Sequence, residues 1–264
     1  MDNIYTISNN FLEVKISTKA AEVHSFKRKD DDYNYVWSGD STYWRGRNPI
    51  LFPQVSSTDN KTTLINGVSY SMGNHGFARD STFNVEDIKE DEITLSLKEN
   101  EETLKQYPFK FTLAVNYKLD DKKMMITYKI INNSSDNMPF GFGLHPAFNC
   151  PLDYNNTKIV FDKEEDEFGK ELIISKELFD KYPTVIINNP KSISSTLISN
   201  NRKLCISYKG FKILAFWSVG PFICVEPWMN MTDKDHNIEM SKREGYDILN
   251  PNSEFSIQYS WEII

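Results

Sequence analysis

The sequence of 264 residues contains little cysteine, and its three cysteines form no recognisable pattern. Cys150, Cys205 and Cys224 are odd in number, widely spaced and free of any Cys-x-x-Cys pair. This gives no support to a disulfide framework and favours a reducing compartment. No apolar run approaches the ~18 residues of a membrane span, and the polar N-terminus lacks a signal-peptide pattern. We therefore expect a cytoplasmic protein with no membrane partner.

Motifs for several common chemistries are also missing. Without a glycine-rich phosphate loop or a nucleophile elbow, ATP chemistry and Ser-His-Asp hydrolysis have no support. There is no His-Glu-x-x-His and no cysteine cluster, and the acidic residues 162–167 lack the glycine and spacing of a calcium loop. The formal net charge of −7 argues against nucleic acid as a partner. The sequence predicts neither a cofactor nor a metal ion.

What the chain does contain is aromatic residues and alternating hydrophobicity. Aromatics make up 13% of the sequence, which favours strands. Strand patterns recur along the chain, for example over residues 5–16, 20–28, 33–37, 109–119 and 124–132. Asn66-Gly67 between apolar runs predicts a β-hairpin, and single helical turns are expected within 99–107 and 175–179.

The spacing of these elements predicts the fold class. Turn signals recur every ~8–12 residues, with no βαβ rhythm, no repeat and no linker. We expect one all-β domain over residues 1–264, built as an antiparallel β-sandwich or barrel.

Residues 73–83 place an imidazole and a guanidinium beside flexible backbone. His75 and Arg79 are four positions apart, and Gly73 and Gly76 allow the chain to turn or to approach a ligand closely. Taken alone, the stretch is better explained by a polar turn between two strands.

Two later stretches have the same character. His145 precedes Pro146, which favours an extended backbone, and imidazole titrates near neutral pH. Glu226 follows an apolar run and precedes Pro227-Trp228, where partial desolvation raises the pKa of a carboxyl and makes it a better base. A structural histidine and a glutamate paired with arginine are the alternatives.

Aromatic residues frame these groups: Trp44, Phe77, Phe148 and Trp228. Aromatic faces with polar groups between them suit the mixed apolar and hydroxyl faces of a sugar ring. An acid and a base that need no metal suggest reversible ring opening.

Four motifs in order carry a resemblance to the aldose 1-epimerase (galactose mutarotase-like) family, which extends nearly end to end. They are Pro49-Ile50-Leu51-Phe52-Pro53, Asn74-His75-Gly76-Phe77-Ala78-Arg79, His145-Pro146-Ala147-Phe148 and Glu226-Pro227-Trp228. The His-Gly-Phe-Ala-Arg motif is similar to the branch that includes epimerase-like proteins of sugar operons and the hexose-6-phosphate epimerases. The resemblance implies a large antiparallel β-sandwich, the galactose mutarotase-like supersandwich, with the sugar on the concave face of one sheet.

The resemblance also implies roles for individual residues. Glu226 would take the proton from the C1 hydroxyl, His145 would protonate the ring oxygen, and His75 would bind near that oxygen or polarise the substrate. The other implied substrate-binding residues are Arg79, Asn74, Trp228, Arg45 or Arg47 before Pro49, and Asp180, for which Tyr182 is the alternative alignment.

The leading functional hypothesis is an aldose 1-epimerase acting on a free hexose such as galactose or glucose, as a monomer or homodimer. Hexose-6-phosphate 1-epimerase is the alternative within enzymes, because Arg45, Arg47 and Arg79 can together bind a phosphate, although they equally suit sugar hydroxyls. A non-catalytic carbohydrate-binding or sensing domain and a purely structural β-sandwich are two further alternatives. The pairing of an acid with a base argues against the binding domain, and the four motifs in order argue against a purely structural sandwich.

Overall fold

The computed structural model describes residues 3–264 and consists mainly of β-strands. The first eleven strands are β1 Ile4–Ser8, β2 Leu12–Ser17, β3 Val23–Arg28, β4 Ile50–Leu51, β5 Thr62–Ile65, β6 Val68–Ser71, β7 Asn84–Ile88, β8 Glu92–Lys98, β9 Phe111–Asp120, β10 Lys123–Asn132 and β11 Met138–Phe140. The others are β12 Gly143–Leu144, β13 Ala147–Asn149, β14 Lys158–Glu165, β15 Gly169–Ile173, β16 Val185–Asn188, β17 Ser194–Ser199, β18 Arg202–Ser207, β19 Ile213–Trp217, β20 Phe222–Trp228, β21 Asp247–Leu249 and β22 Glu254–Ile263. Two short helices, α1 Glu101–Leu104 and α2 Lys176–Lys181, and two 3₁₀ turns, Ala78–Asp80 and Met240–Lys242, complete the elements.

Two large antiparallel sheets form the body of the molecule. The nine-stranded sheet has the order β15-β14-β17-β18-β22-β10-β9-β8-β7. The second sheet has the order β16-β19-β20-β12-β4, and β13 also pairs with β20. Smaller sheets are formed by β1-β2-β3, β5-β6 and β11-β21. The predicted all-β, antiparallel sandwich is confirmed.

The alternation of apolar residues explains why the two large sheets pack face to face. In β9 and β10 every second side chain is buried, as expected of strands with one face on the core. Phe148 of β13 contacts Trp261 of β22 with ring centroids 5.0 Å apart, and Phe161 of β14 contacts Phe216 of β19 at 6.0 Å. The main hydrophobic core therefore lies between the sheets.

Local predictions are confirmed in part. The Asn66-Gly67 hairpin joins β5 to β6 with both turn residues at positive φ, and α1 and α2 begin within the stretches expected to be helical. The strand expected over 20–28 begins only at Val23, because Ala20 and Ala21 have φ of 55° and 53° and form a turn. The strand expected over 33–37 is reduced to one bridge between Val36 and Phe148.

The expected domain boundaries are not tested by the structure. Residues 1 and 2 of the expected 1–264 domain lie outside the described residues, and the single-domain interpretation stays a prediction. Within residues 3–264 no helix has the length and apolar character needed to cross a membrane.

Candidate active site

Strand β20 carries Glu226 to the floor of a cleft. Ile223 and Val225 of this strand belong to the main core, so the pleat turns Glu226 and Trp228 to the opposite face. There they line a cleft of about 450 Å³. Glu226 is only 1% exposed, and its Oε2 accepts no hydrogen bond from the described residues. A buried carboxyl thus faces the cleft without a fixed donor.

His145 lies between β12 and β13, directly opposite this carboxyl. Its backbone N–H donates to the carbonyl of Pro49 at 3.1 Å. Its ring stacks on Trp44 with centroids 4.7 Å apart, and the edge of Trp217 closes the other side at 5.6 Å. These contacts hold Nε2 of His145 at 3.3 Å from Oε2 of Glu226.

Burial moves the pKa values of this pair in opposite directions. Desolvation raises the pKa of Glu226 well above its ordinary value, and the positive charge of Arg79 offsets only part of the rise. The Trp228 indole, which has no well-formed hydrogen bond among the described residues, opposes the rise as well. Desolvation lowers the pKa of His145 well below its ordinary value, and His75 and Arg79 lower it further. Both directions favour the uncharged forms, in which the Glu226 carboxyl is protonated and the His145 imidazole is neutral.

His75 is locked in one orientation and one tautomer. Its backbone has φ of 67°, and its N–H donates to the Ser56 carbonyl at 2.9 Å. Its ring Nδ1 accepts the Ser56 N–H at 2.9 Å, so the proton of the neutral ring resides on Nε2. The next residue, Gly76, has φ of 70°, and a Cβ there would lie 2.2 Å from the Phe52 carbonyl oxygen. Only glycine fits this turn.

Replacing His75 with Asn tests the electrostatic state of this ring. Burial and the charge of Arg79 lower the pKa of His75 to about 3, whereas an unfolded chain binds the proton near 6.5. Between these values the unfolded state binds more protons, so stability rises with pH. The stability that depends on the neutral His75 ring is fully present above pH ~6.5 and is lost as the pH falls toward 3.

We expect the wild type to lose stability relative to His75→Asn between pH 7 and 4, by on the order of 2 kcal/mol after allowance for partial exposure of the ring. The variant is a close match, because Asn tolerates positive φ and its oxygen can accept the Ser56 N–H. Urea unfolding at the two pH values measures the difference. Parallel pH profiles for the two proteins would show that His75 is not held neutral by the fold.

Arg79 lies between the cleft and a second cavity. It is carried by the 3₁₀ turn Ala78–Asp80, and its guanidinium lines both spaces. Burial lowers its pKa, although the carboxylates of Asp80, Glu22 and Glu226 partly restore it. The second cavity, of about 330 Å³, is called the basic alcove and is lined by Lys19, Glu22, Arg45, Arg47 and Arg79, among others.

Glu22 anchors the loop that forms one wall of the basic alcove. Its Oε1 accepts the backbone N–H groups of Arg47 and Asn48 at 2.8 and 3.1 Å. Burial raises the pKa of this carboxyl, and the two hydrogen bonds oppose the rise. Arg45 is exposed and lies 3.6 Å from Asp80. The two arginines predicted to bracket the family position therefore line the alcove and not the cleft.

The other predicted residues divide into two groups. Asn74 and Trp228 line the cleft with His75, Arg79, His145 and Glu226, and so does Trp44. Phe77 and Phe148, expected to frame the site, are instead buried in the main core.

Asp180, like Arg45 and Arg47, was predicted to bind substrate and does not line the cleft. It lies on α2, exposed, in an ion pair with Lys176 one helical turn earlier. It lines a separate cavity of about 630 Å³ that shares only the wall formed by Trp217 with the cleft. The alternative, Tyr182, ends α2 and donates its hydroxyl to Glu167. Helix α2 therefore brings no acidic residue into the described lining of the cleft.

Sequence reasoning missed several residues of the cleft. Trp217 stands opposite Cys224 in the β19–β20 register, and Ser56, Thr184, Ile186 and Met231 complete the lining. Among these residues, Trp217 could have been predicted, because it ends the strand that precedes the Glu226 strand in sequence and pairs with it. For a metal ion, the donor atoms of His145, Cys224 and Glu226 lie within 4.8 Å of one another.

The chain matches a known protein family over most of its length. The profile of the family described as aldose 1-epimerase matches residues 3–203. Protein LacX of Lactococcus lactis subsp. lactis is 30% identical, with 86% of this chain and 87% of the relative covered.

Solved structures are similar over nearly the whole chain. A galactose mutarotase-like protein from Lactobacillus casei has a TM-score of 0.91 and 30% identity, covering 99% of this chain and 100% of the other. A galactose mutarotase related enzyme from Lactobacillus acidophilus has a TM-score of 0.91 and 28% identity, covering 100% and 97%.

Proposed function

Because this chain belongs to the aldose 1-epimerase family, we propose that it interconverts the α and β anomers of a free hexose by acid/base opening and closure of the sugar ring. The observation that carries the proposal is the His145–Glu226 pair, buried in an aromatic cleft with Nε2 and Oε2 3.3 Å apart. Proton donors and acceptors within reach of the same atom pair are the requirement for general acid/base catalysis.

The spacing of the pair suits the chemistry of an anomeric carbon. The C1 hydroxyl oxygen and the ring oxygen are bonded to the same carbon, so their two partners must also be neighbours. Glu226 takes the proton of the C1 hydroxyl while His145 gives a proton to the ring oxygen, and the C1–O5 bond breaks. The open aldehyde rotates about C1–C2, and closure on the other face returns both protons with the roles reversed.

The protonation state of the pair fits this exchange. Burial moves the pKa values of both groups toward their uncharged forms, so the exchangeable proton of the pair lies on Glu226. Transfer of that proton from Glu226 to His145 produces the carboxylate base and the imidazolium acid together. The sugar hydroxyls would stabilise this charged form, and closure on the opposite face needs no external proton.

The remaining cleft residues suit a sugar ring. Trp44 and Trp228 provide flat apolar surfaces, and the His75 Nε2–H, Asn74 and Arg79 provide donors around them. We propose that these three polar side chains hold hydroxyl groups. The expected state of the protein as monomer or homodimer stays a prediction.

Arg79 is expected to contribute binding more than chemistry. Arg79→Gln should raise KM for a free hexose about 10-fold or more, with a smaller change in kcat, because it removes charge-assisted hydrogen bonds. Arg45→Gln is the matched control, since Arg45 is exposed and lines only the basic alcove. Initial rates over a range of sugar concentrations measure the effect. An unchanged KM in Arg79→Gln would remove this residue from the sugar site.

A sugar phosphate is the second candidate substrate. Lys19, Arg45 and Arg47 adjoin the cleft through Arg79, and they give the basic alcove more positive than negative side chains. A phosphate on the far end of the sugar would meet these cations if that end pointed toward Arg79. In that case Arg45→Gln should weaken binding of the phosphorylated sugar only.

Polarimetry of freshly dissolved α-galactose and α-glucose, with and without the protein, tests the proposal. Glucose 6-phosphate is assayed in parallel. Accelerated relaxation of a free sugar supports the proposed activity, and acceleration of the phosphate alone assigns the alcove to phosphate binding. Acceleration of neither, with sugar binding retained, favours the non-catalytic carbohydrate-binding domain.

A further inference from the structure

Three buried side chains with metal-binding donor atoms lie close together, and two of them, His145 and Glu226, line the cleft. Cys224 lies two residues before Glu226 in β20 and therefore on the same face of the strand. His145 faces both, and the nitrogen, sulfur and oxygen donors all lie within 4.8 Å of one another. Each of the three residues is less than 9% exposed.

The donor set is typical of zinc. A tetrahedral Zn²⁺ site takes imidazole nitrogen, thiolate sulfur and carboxylate oxygen, and sites with three protein ligands leave a fourth position for water or substrate. Here the fourth position would open to the cleft that His145 and Glu226 line. One donor atom of the group, Oε2 of Glu226, is buried without a hydrogen bond from the described residues.

The charge of the group also suits a divalent cation. The cation would displace two protons to solvent, one from the Cys224 thiol and the one shared by His145 and Glu226. The product, with one thiolate, one carboxylate, a neutral imidazole and Zn²⁺, has no net charge. A neutral cluster avoids the cost of burying an unpaired ion beside Arg79.

We propose that Zn²⁺, or a similarly thiophilic divalent cation, binds His145, Cys224 and Glu226 from the cleft and blocks the site. The ion occupies the atoms that the acid/base reaction needs, so bound metal and sugar exclude each other. Cys224 serves the metal only and has no part in the sugar reaction. The site itself is independent of the proposed function, and only the inhibition depends on that function.

Direct metal binding is measured first, because it needs no enzyme activity. Cobalt(II) titrated into the protein is expected to saturate at one ion per chain and to give a thiolate-to-cobalt charge-transfer band in the near ultraviolet. Cys224→Ser should remove the band, and Cys224→Ala should do the same if serine is poorly tolerated. Cys205→Ala is the control, because Cys205 lies in β18 of the other sheet and should leave the band intact.

Competition with Zn²⁺ then gives affinities for the two proteins. Loss of the Cys224 ligand is expected to weaken Zn²⁺ binding by at least about 100-fold, more than the loss of an outer-shell partner. Absence of the charge-transfer band in the wild type, or its persistence in both Cys224 variants, overturns the proposal.

If the protein turns over a sugar, Zn²⁺ should raise the apparent KM without changing kcat. A chelator should then restore the rate. The Cys224→Ser variant should keep its basal rate in the absence of Zn²⁺. Equal zinc sensitivity of the wild type and Cys224→Ser would also contradict the proposal. A protein that binds cobalt through Cys224 but turns over no sugar would leave the metal site standing and would contradict the proposed function alone.

Discussion

Glu226→Gln is expected to lower the rate of anomer exchange by about 10²- to 10⁴-fold, the range for loss of a general base. Glutamine has the size of glutamate, but its amide cannot accept the proton of the C1 hydroxyl at neutral pH. The fold should tolerate the change, because burial already raises the pKa of Glu226 and favours its uncharged form. We expect the free energy of unfolding to change by less than about 1 kcal/mol.

Glu22→Gln is the matched control for this variant. Glu22 is also buried, with a pKa raised by desolvation, but it lines the basic alcove and not the cleft. The amide oxygen of glutamine can still accept the N–H groups of Arg47 and Asn48. Glu22→Gln should therefore keep turnover of a free hexose within a few-fold. A Glu226→Gln enzyme with more than a tenth of wild-type turnover would mean that another group is the base.

His145→Asn is expected to have the second-largest effect, about 10²- to 10³-fold on turnover. Asparagine fits the space near Cβ but lacks the Nε2 atom that faces Glu226 at 3.3 Å. The proton donor to the ring oxygen is lost, and the proton shared by the pair loses one of its two positions. The rate at which the optical rotation of freshly dissolved sugar relaxes measures the effect. Circular dichroism verifies that the variant is folded.

The double variant Glu226→Gln/His145→Asn shows whether the two groups act as one unit. Residues that share a proton are strongly non-additive, so the double variant should lose little more activity than the worse single variant. Losses that multiply would indicate two independent contributions and would contradict the shared-proton mechanism.

The strands and the acidic and basic groups of the cleft were accessible from the sequence for a local reason. Side chains alternate between the two faces of β20, so Glu226 and Trp228 share one face and Val225 packs into the core on the other. The glycine after His75 and the proline after His145 mark special backbone at both histidines. Local rules of this kind predict which side chains point away from the core. The family motifs then predict that these side chains meet in one site.

What the sequence did not predict depends on packing between distant segments. Asp180 lies outside the cleft because α2 places it, with Lys176, beside a separate cavity, and no local pattern encodes where α2 packs. Arg45 and Arg47 line the alcove because Glu22, from a different strand region, binds the backbone at residues 47 and 48. The proximity of Cys224 to His145 likewise requires the β13–β20 pairing, which no local pattern encodes.

Exchange spectroscopy by proton NMR, on an equilibrium mixture of α and β hexose with a catalytic amount of protein, tests the central claim most directly. It observes the interconversion of the two anomeric protons without any net reaction or coupled enzyme. The account predicts α–β cross-peaks that grow with wild-type concentration for at least one aldose and are lost in Glu226→Gln and in His145→Asn. Cross-peaks no stronger than those of the sugar alone for every aldose and aldose phosphate tried, or full exchange in both variants, would contradict it.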